Sequence, residues 1–423
     1  MAKADEFQKP LRDEASLRMS TTWILILLAL GFFLICTFWL NMTVHTEQQF
    51  SFLAQSFLHS KLGFLERPGN NWADASPHGG QCYWPLGPFP AVLLMPFTFV
   101  ASGIGVFFYQ GYVQPFLVCL LLAIIFRIAR RVGYGREDGL YIAFGFTFAT
   151  AVLGVGVWPW SWQFAQVVTC LLLFAAISEM AGKQRPWIVG LLFALALATR
   201  ATAALGVVWC VGEILLATNT WRKKAFSLAA IGFPCMVVLV LLLCYNRARF
   251  GDAFEQGYRE QLVASWAENT RAQGILNLHH LPSNLYYLLL ASPDPIQRDK
   301  TSIVLAFPYV SANPWGMSLF LTSPCFLYLF RLRYGDVTSR LLLLTVLVIA
   351  APLLLYFASG FRQFGYRYSL DFLPFLYYLL LRNYRSQRGG LTSGFKVILI
   401  MTAFWNLYLF AGHFIWHAKP MPE

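Results

Sequence analysis

Charge is scarce in this chain. Asp, Glu, Lys and Arg make up 12% of its 423 residues and apolar side chains 57%, which excludes a soluble protein of this length. Phosphate-cradling glycine loops are absent too: the nearest approach, Gly154-Val155-Gly156-Val157-Trp158, lacks GxGxxG spacing, which counts against an ATP-driven pump. Metal-ligand spacing is missing. The seven histidines form no HxxH or HxH, and His279 and His280 are simply adjacent, so no cofactor is expected and a divalent metal, though open to such a chain, is not indicated. Seven of the eight cysteines sit in or beside apolar runs, where they act as small hydrophobes. Cys82 stands apart from them, so no disulfide framework is expected. The first apolar run has no small-residue cleavage pattern and is read as a retained anchor.

What is present is apolar sequence in recurring runs. A span needs roughly 20 mainly apolar residues, and about eleven candidates meet that criterion. They lie near Trp23 to Leu40, Tyr112 to Phe126, Leu140 to Val157, Phe164 to Ile177, Trp187 to Ala198, Leu205 to Leu216, Phe226 to Cys244, Trp315 to Phe330, Leu341 to Phe357, Phe372 to Leu381 and Val397 to Leu409. In the run from Phe89 to Phe108, Pro88, Pro90, Pro96 and the Gly103/Gly105 pair predict broken, interfacial helices. The expected fold is all-α, a polytopic membrane helix bundle forming one domain over residues 1–423.

Basic residues set the orientation. Arg127 to Asp138, Gly182 to Pro186, Trp221 to Lys224, Arg331 to Asp336 and Arg382 to Arg388 fall on one side with the N-terminus, and that side takes 20 of the 32 Lys and Arg. By the positive-inside rule it is cytoplasmic. The net charge of +12 is then a topology signal meeting anionic lipid headgroups, and nucleic acid is not needed to explain it. The expected location is a bacterial inner membrane. Two outward segments are long, 41–111 and 246–314. Each holds aromatic-rich stretches, Phe50 to Leu65 and Asn284 to Ser292, read as interfacial amphipathic helices. Long loops on one face are where function is expected.

The chemistry is sought on that face. Glu47 follows the first span closely and Asp74 lies further along the same loop, with His78 four residues on. A general base needs a carboxylate or imidazole whose affinity for protons is raised by partial burial. The plainer alternatives are a solvated acid ending a span and a turn or capping residue. The complementary cations are Arg200, Arg247, Arg249, Arg259, Arg362 and Arg367. A guanidinium offers paired donors that fit two phosphate oxygens, although some of the six will pair with Asp252, Glu255 or Asp371. Trp84, Trp158, Trp160 and Trp162 suit sugar faces, with an interfacial aromatic belt as the preferred reading. Tyr83 and Tyr366 join His78 as substrate-binding candidates.

An outward acid, arginines and aromatics together resemble the C superfamily of membrane glycosyltransferases, near the dolichyl-phosphate-mannose protein mannosyltransferases and the aminoarabinose transferases. The likeness runs through Thr46 to Leu58, Asp74 to Phe97, Gly190 to Ala203, Tyr245 to Tyr258 and Phe364 to Leu376. It implies a polyprenyl-phosphate sugar donor, inverting displacement, and an acceptor (lipid, glycan or protein) deprotonated by an acid of the first outer loop. Relatives often begin that loop with Asp-Glu. Here it reads Thr46-Glu47, so the base is Glu47 or Asp74, or transfer has been lost. Arg200 and Arg367 match arginines of the family's motifs, with the Arg247/Arg249 pair assisting at the donor phosphate. Arg367 is preferred to Arg362, with Asp371 as its local partner. The expectation also includes no large soluble C-terminal domain, so acceptor recognition falls to the two outer loops or a partner. The competing readings are a lipid or solute flippase, against which no internal repeat is seen, and a non-catalytic subunit of an envelope glycan assembly complex.

Overall fold

The computed structural model describes residues 31, 34–35, 37–65, 74–299 and 303–412. Most of the expected first span, the N-terminal cations, Cys36, His413 and His417 lie outside them. Within the described residues the chain is mainly helical, with two small antiparallel hairpins, Ser76–His78 with Gln81–Tyr83 and Asp294–Gln297 with Leu305–Ser311. Among the described residues five stretches are long and apolar enough to cross a membrane: Gln110–Val132, Ser161–Met180, Trp221–Phe250, Val337–Leu354 and Ser393–Ala411. With the composition, they make this a membrane protein.

The other expected spans take different forms. Leu140 to Val157 divides into the helices Arg136–Phe148 and Val152–Val157, because the Thr150 hydroxyl donates to the Phe146 carbonyl and accepts from the Val152 N–H. Trp315 to Phe330 is no long helix. It holds a turn of helix, Leu319–Thr322, and a 3₁₀ stretch, Pro324–Arg331, since Pro324 removes a backbone donor and drives Ser323 out of helical geometry. Conversely, Phe89–Gly103 is one continuous helix rather than broken pieces. Pro88 and Pro90 flank its first turn, where no intrahelical N–H is needed, and Pro96 alone interrupts the ladder. The helix at Pro186–Leu197 has only 12 residues, short of a span.

The basic loops converge at one end of the bundle. There Arg131 donates to Ser178, Arg185 to Glu179, Arg385 to the Gly133 carbonyl and Arg382 to Asp336, while Lys396 reaches Glu137 and Asp138. The opposite end carries the two long segments. Of the amphipathic stretches expected there, Gln49–Leu58 is a ten-residue helix whose Phe50, Leu53 and Ala54 are fully buried, against the helix Phe89–Gly103. Leu281–Leu289 is the other. Its Asn284 amide donates to the carbonyls of Leu354 and Tyr356 at 3.0 and 2.8 Å, fixing it to the end of Val337–Leu354.

The most buried of the five long helices is Ser161–Met180. It starts after the helix Val152–Val157 and three irregular residues, 158–160, and the carbonyls of 155–159 have no helical partners. Four amide side chains accept that burden: Gln114 donates to Val155, Gly156 and Trp158, Asn41 to Val157, and Gln48 and Gln110 to Pro159. Non-helical backbone inside an apolar bundle survives only with such partners.

Candidate functional site

A cavity of about 440 Å³ opens at the end opposite the basic loops, lined by Glu47, Asp74, Arg362 and Arg367 among others. Its size suits a small-molecule site. Among the described residues six non-glycines have positive φ, and Glu47 (55°), Asp74 (69°) and Arg362 (50°) are three of them. Each of the three lines this cavity. Left-handed backbone costs free energy for residues with a Cβ, and it persists where surrounding contacts impose it, often at functional sites. The contacts are identifiable. Ser161 holds the Glu47 carbonyl through both its N–H and its hydroxyl, each at 2.9 Å. Asp74 donates its N–H to the Leu262 carbonyl at 2.7 Å, and Leu262 returns one to Ala75 at 2.8 Å. The two long segments are thereby stitched together at Asp74.

The two carboxylates differ in their partners. Asp74 accepts from the Trp162 indole N–H at 2.8 Å and from the Gln261 amide at 3.1 Å, one bond on each oxygen. The Glu47 carboxylate makes no hydrogen bond among the described residues. Burial raises its pKa from 4.5 to about 7, helped by the charge of Asp74 and opposed by Arg362 and Arg367. Asp74 is also raised, by burial first, against the pull of Trp162, Arg367 and Gln261. Glu47 is therefore poised to take up and release a proton near neutral pH, whereas both Asp74 oxygens are already engaged.

Arg367 opens the 3₁₀ helix Arg367–Asp371, every residue of which is buried. The Gln166 amide of the central helix pins its carbonyl at 3.0 Å. Close packing just before it depends on Gly154, where a Cβ would stand 2.4 Å from that of Phe364. The guanidinium lies 4.8 Å from the ring centre of Tyr368 and 6.0 Å from that of Trp162. It is 6% exposed, and its Nε and Nη1 have no hydrogen-bond partner among the described residues. A buried cation with unmet donors beside a cavity is equipped for an anion.

A second cavity, about 310 Å³, shares Trp162, Tyr356 and Tyr368 with the first. Leu239, Leu242 and Leu243 of the helix Trp221–Phe250 form an apolar wall, and Arg200 and Arg249 sit in the polar part. Arg200 is ion-paired, whereas Arg249 is held by neutral partners and keeps a buried Nε without one among the described residues. Asp371 receives Arg200 Nε at 2.7 Å and Nη2 at 3.0 Å, plus the Thr202 hydroxyl at 2.5 Å. Asp371 is thus the partner of Arg200, not of Arg367 as the sequence led us to expect. Arg249 donates to the Trp84 carbonyl and to Asn246 at 2.8 and 2.7 Å and stacks 3.9 Å from the Tyr245 ring centre. Gly87 permits the first loop to reach this wall, since a Cβ there would lie 2.2 Å from the Ala198 carbonyl oxygen.

Other residues chosen from sequence lie apart. Arg247 is exposed, and His78 pairs with Glu260 at 2.9 Å beside Phe250. Tyr83 packs edge-on to Phe250 and Tyr366 is buried near Asn284. None of the four lines either cavity. Gln261, which no motif marks, is not among the sequence candidates, and Arg362, placed there behind Arg367, lines the same cavity. Sequence reasoning read Trp162 as a belt residue, whereas the indole holds Asp74 and walls both cavities. Among the described residues no group of three or more His, Cys, Asp and Glu is placed to hold a metal ion.

No family model matches this chain, and no curated protein does. Among solved structures it is similar to the apo crystal structure of the Archaeoglobus fulgidus oligosaccharyltransferase, at 13% identity and a TM-score of 0.46. The match covers 94% of this chain and 57% of that one. So distant a likeness leaves the function to be argued from the site.

Proposed function

We propose that this chain is a membrane glycosyltransferase that moves a sugar from a polyprenyl-phosphate carrier to an acceptor outside the cytoplasm, with inversion at the anomeric carbon. The observation that carries it is one cavity holding Glu47, its carboxyl shifted to about 7, together with Arg367, whose buried Nε and Nη1 lack partners. Base and anion-binding cation are the two parts that displacement from a phosphate requires. Glu47 removes the acceptor proton while the acceptor oxygen bonds to the anomeric carbon. The bond from that carbon to the phosphate oxygen breaks, and the phosphate leaves with the electron pair toward Arg367 and Arg362.

In this reading the carrier's isoprenoid chain lies along Leu239, Leu242 and Leu243 in the smaller cavity and passes Tyr356 and Tyr368 to bring its phosphate to Arg367. Arg200, already paired with Asp371, shapes that passage rather than grips the phosphate, and Arg249, with its buried Nε unpaired among the described residues, stands beside it as a further cation. Asp74 supports Glu47 through its charge. The segments 41–111 and 246–314 face outward, and the converging basic loops face the cytoplasm with the N-terminus of an inner-membrane protein. Purified protein in lipid, given labelled polyprenyl-phosphate sugars and envelope extract, should form a glycosylated product that Glu47→Gln abolishes. Absence of product from every donor would shift the role to a non-catalytic subunit. Movement of the lipid across vesicles without a covalent product would make it a flippase.

A further inference from the structure

The wall of the larger cavity carries more unmet polarity than a phosphate explains. Trp160, Gln163, Gln261 and Arg367 all line it and are only 7, 5, 3 and 6% exposed. Each has a polar atom without a hydrogen-bond partner among the described residues: the indole Nε1, the two amide Oε1 atoms, and the guanidinium Nε and Nη1. Buried polar atoms are nearly always paired, and an occupant of the cavity would meet these four as their side chains turn toward it. Two of them donate and two accept. A phosphate diester only accepts and leaves both glutamine oxygens unmatched, while every hydroxyl of a sugar both donates and accepts.

Aromatic faces complete the wall. Trp266 and Phe361 line the cavity and are braced from behind by Trp315, whose ring centre lies 4.6 Å from each. The C–H faces of a pyranose carry partial positive charge and lie well against the negative face of an aromatic ring. A peptide held by strand addition would instead need a strand edge, and neither hairpin lines the cavity. We propose that this cavity is a saccharide subsite and that the acceptor is a glycan, its terminal ring seated against Trp266 and Phe361 with one hydroxyl toward Glu47. The assignment of an acceptor rests on the transfer reading above; the binding of a free saccharide does not.

The test is equilibrium binding without donor. The protein in lipid nanodiscs is titrated with mannobiose, cellobiose and chitobiose, and with an Ala-Ser-Thr hexapeptide, following tryptophan fluorescence and saturation-transfer NMR. At least one disaccharide should bind saturably and the peptide should not. Trp266→Ala and Phe361→Leu should each weaken the disaccharide at least ten-fold while leaving polyprenyl-phosphate-sugar binding within two-fold. The second variant decides the matter if the first fails to fold. No disaccharide binding, equal binding of the peptide, or indifference to both substitutions overturns the proposal. So does a loss confined to the polyprenyl-phosphate sugar, which would assign the ring to the donor. Disaccharide binding without transfer from any donor would defeat the transfer reading alone, whereas transfer to peptide or lipid without disaccharide binding would defeat this inference alone.

Discussion

Asp371 gives one carboxylate oxygen to each of two nitrogens of Arg200, at 2.7 and 3.0 Å, and so leaves Arg367, at the start of the same 3₁₀ turn, without an ionic partner among the described residues. One buried cation is neutralised as structure and the other is kept available. Removing one member of a buried pair strands the other charge, which costs about 3–5 kcal/mol. Asp371→Asn should therefore lower the thermal midpoint in detergent markedly, and an unchanged midpoint would show that the pair carries no such strain.

Loss of the base should appear in turnover rather than affinity. Glu47→Gln keeps the side chain's shape and should reduce kcat by about 10²–10⁴, with the donor KM little altered. Single-turnover transfer measures this, and wild-type turnover by the variant would eliminate Glu47 as the base.

The pH profile provides a sharper check. A general base acts when deprotonated, so kcat/KM should rise with pH and level off above the Glu47 pKa of about 7. Asp74 raises that value and Arg367 lowers it. Asp74→Asn should thus move the inflection to lower pH and Arg367→Met to higher pH. Shifts in the opposite directions would refute the electrostatic assignment. The same carboxyl affects stability. Its folded pKa lies above the ordinary 4.5, so the favourable contribution is present below 4.5 and is lost as pH rises through 7.

Gly87 should tolerate no side chain. A Cβ placed 2.2 Å from the Ala198 carbonyl oxygen meets backbone, which cannot rotate away. Gly87→Ala should destabilise by about 1–3 kcal/mol, seen as a lower thermal midpoint and slower transfer. A fully stable, fully active variant would mean that the two segments need not approach so closely.

Much of the helical frame was readable from apolar runs. Ser161–Met180, Trp221–Phe250 and Val337–Leu354 are where hydropathy places them, because burial in lipid or core demands unbroken apolar length. Short polar signals decided the rest. Thr150 and Pro324 break runs that look continuous, and Pro90 near a helix start breaks nothing. Hydropathy averages over these positions and misses them.

Sequence also put Glu47, Asp74 and Arg367 on the same side of the spans, because the count of apolar runs fixes which loops share a side. By itself, then, it determined the membrane class, the long apolar helices and the residue types available for chemistry. Tertiary structure decided the pairings. Arg200 and Asp371 lie 171 residues apart, Asp74 and Gln261 lie 187 apart, and no local pattern encodes such contacts. Which arginine is neutralised, which carboxylate is engaged by Trp162, and which is left to titrate depend on packing between distant segments, so they exist only once the chain has folded.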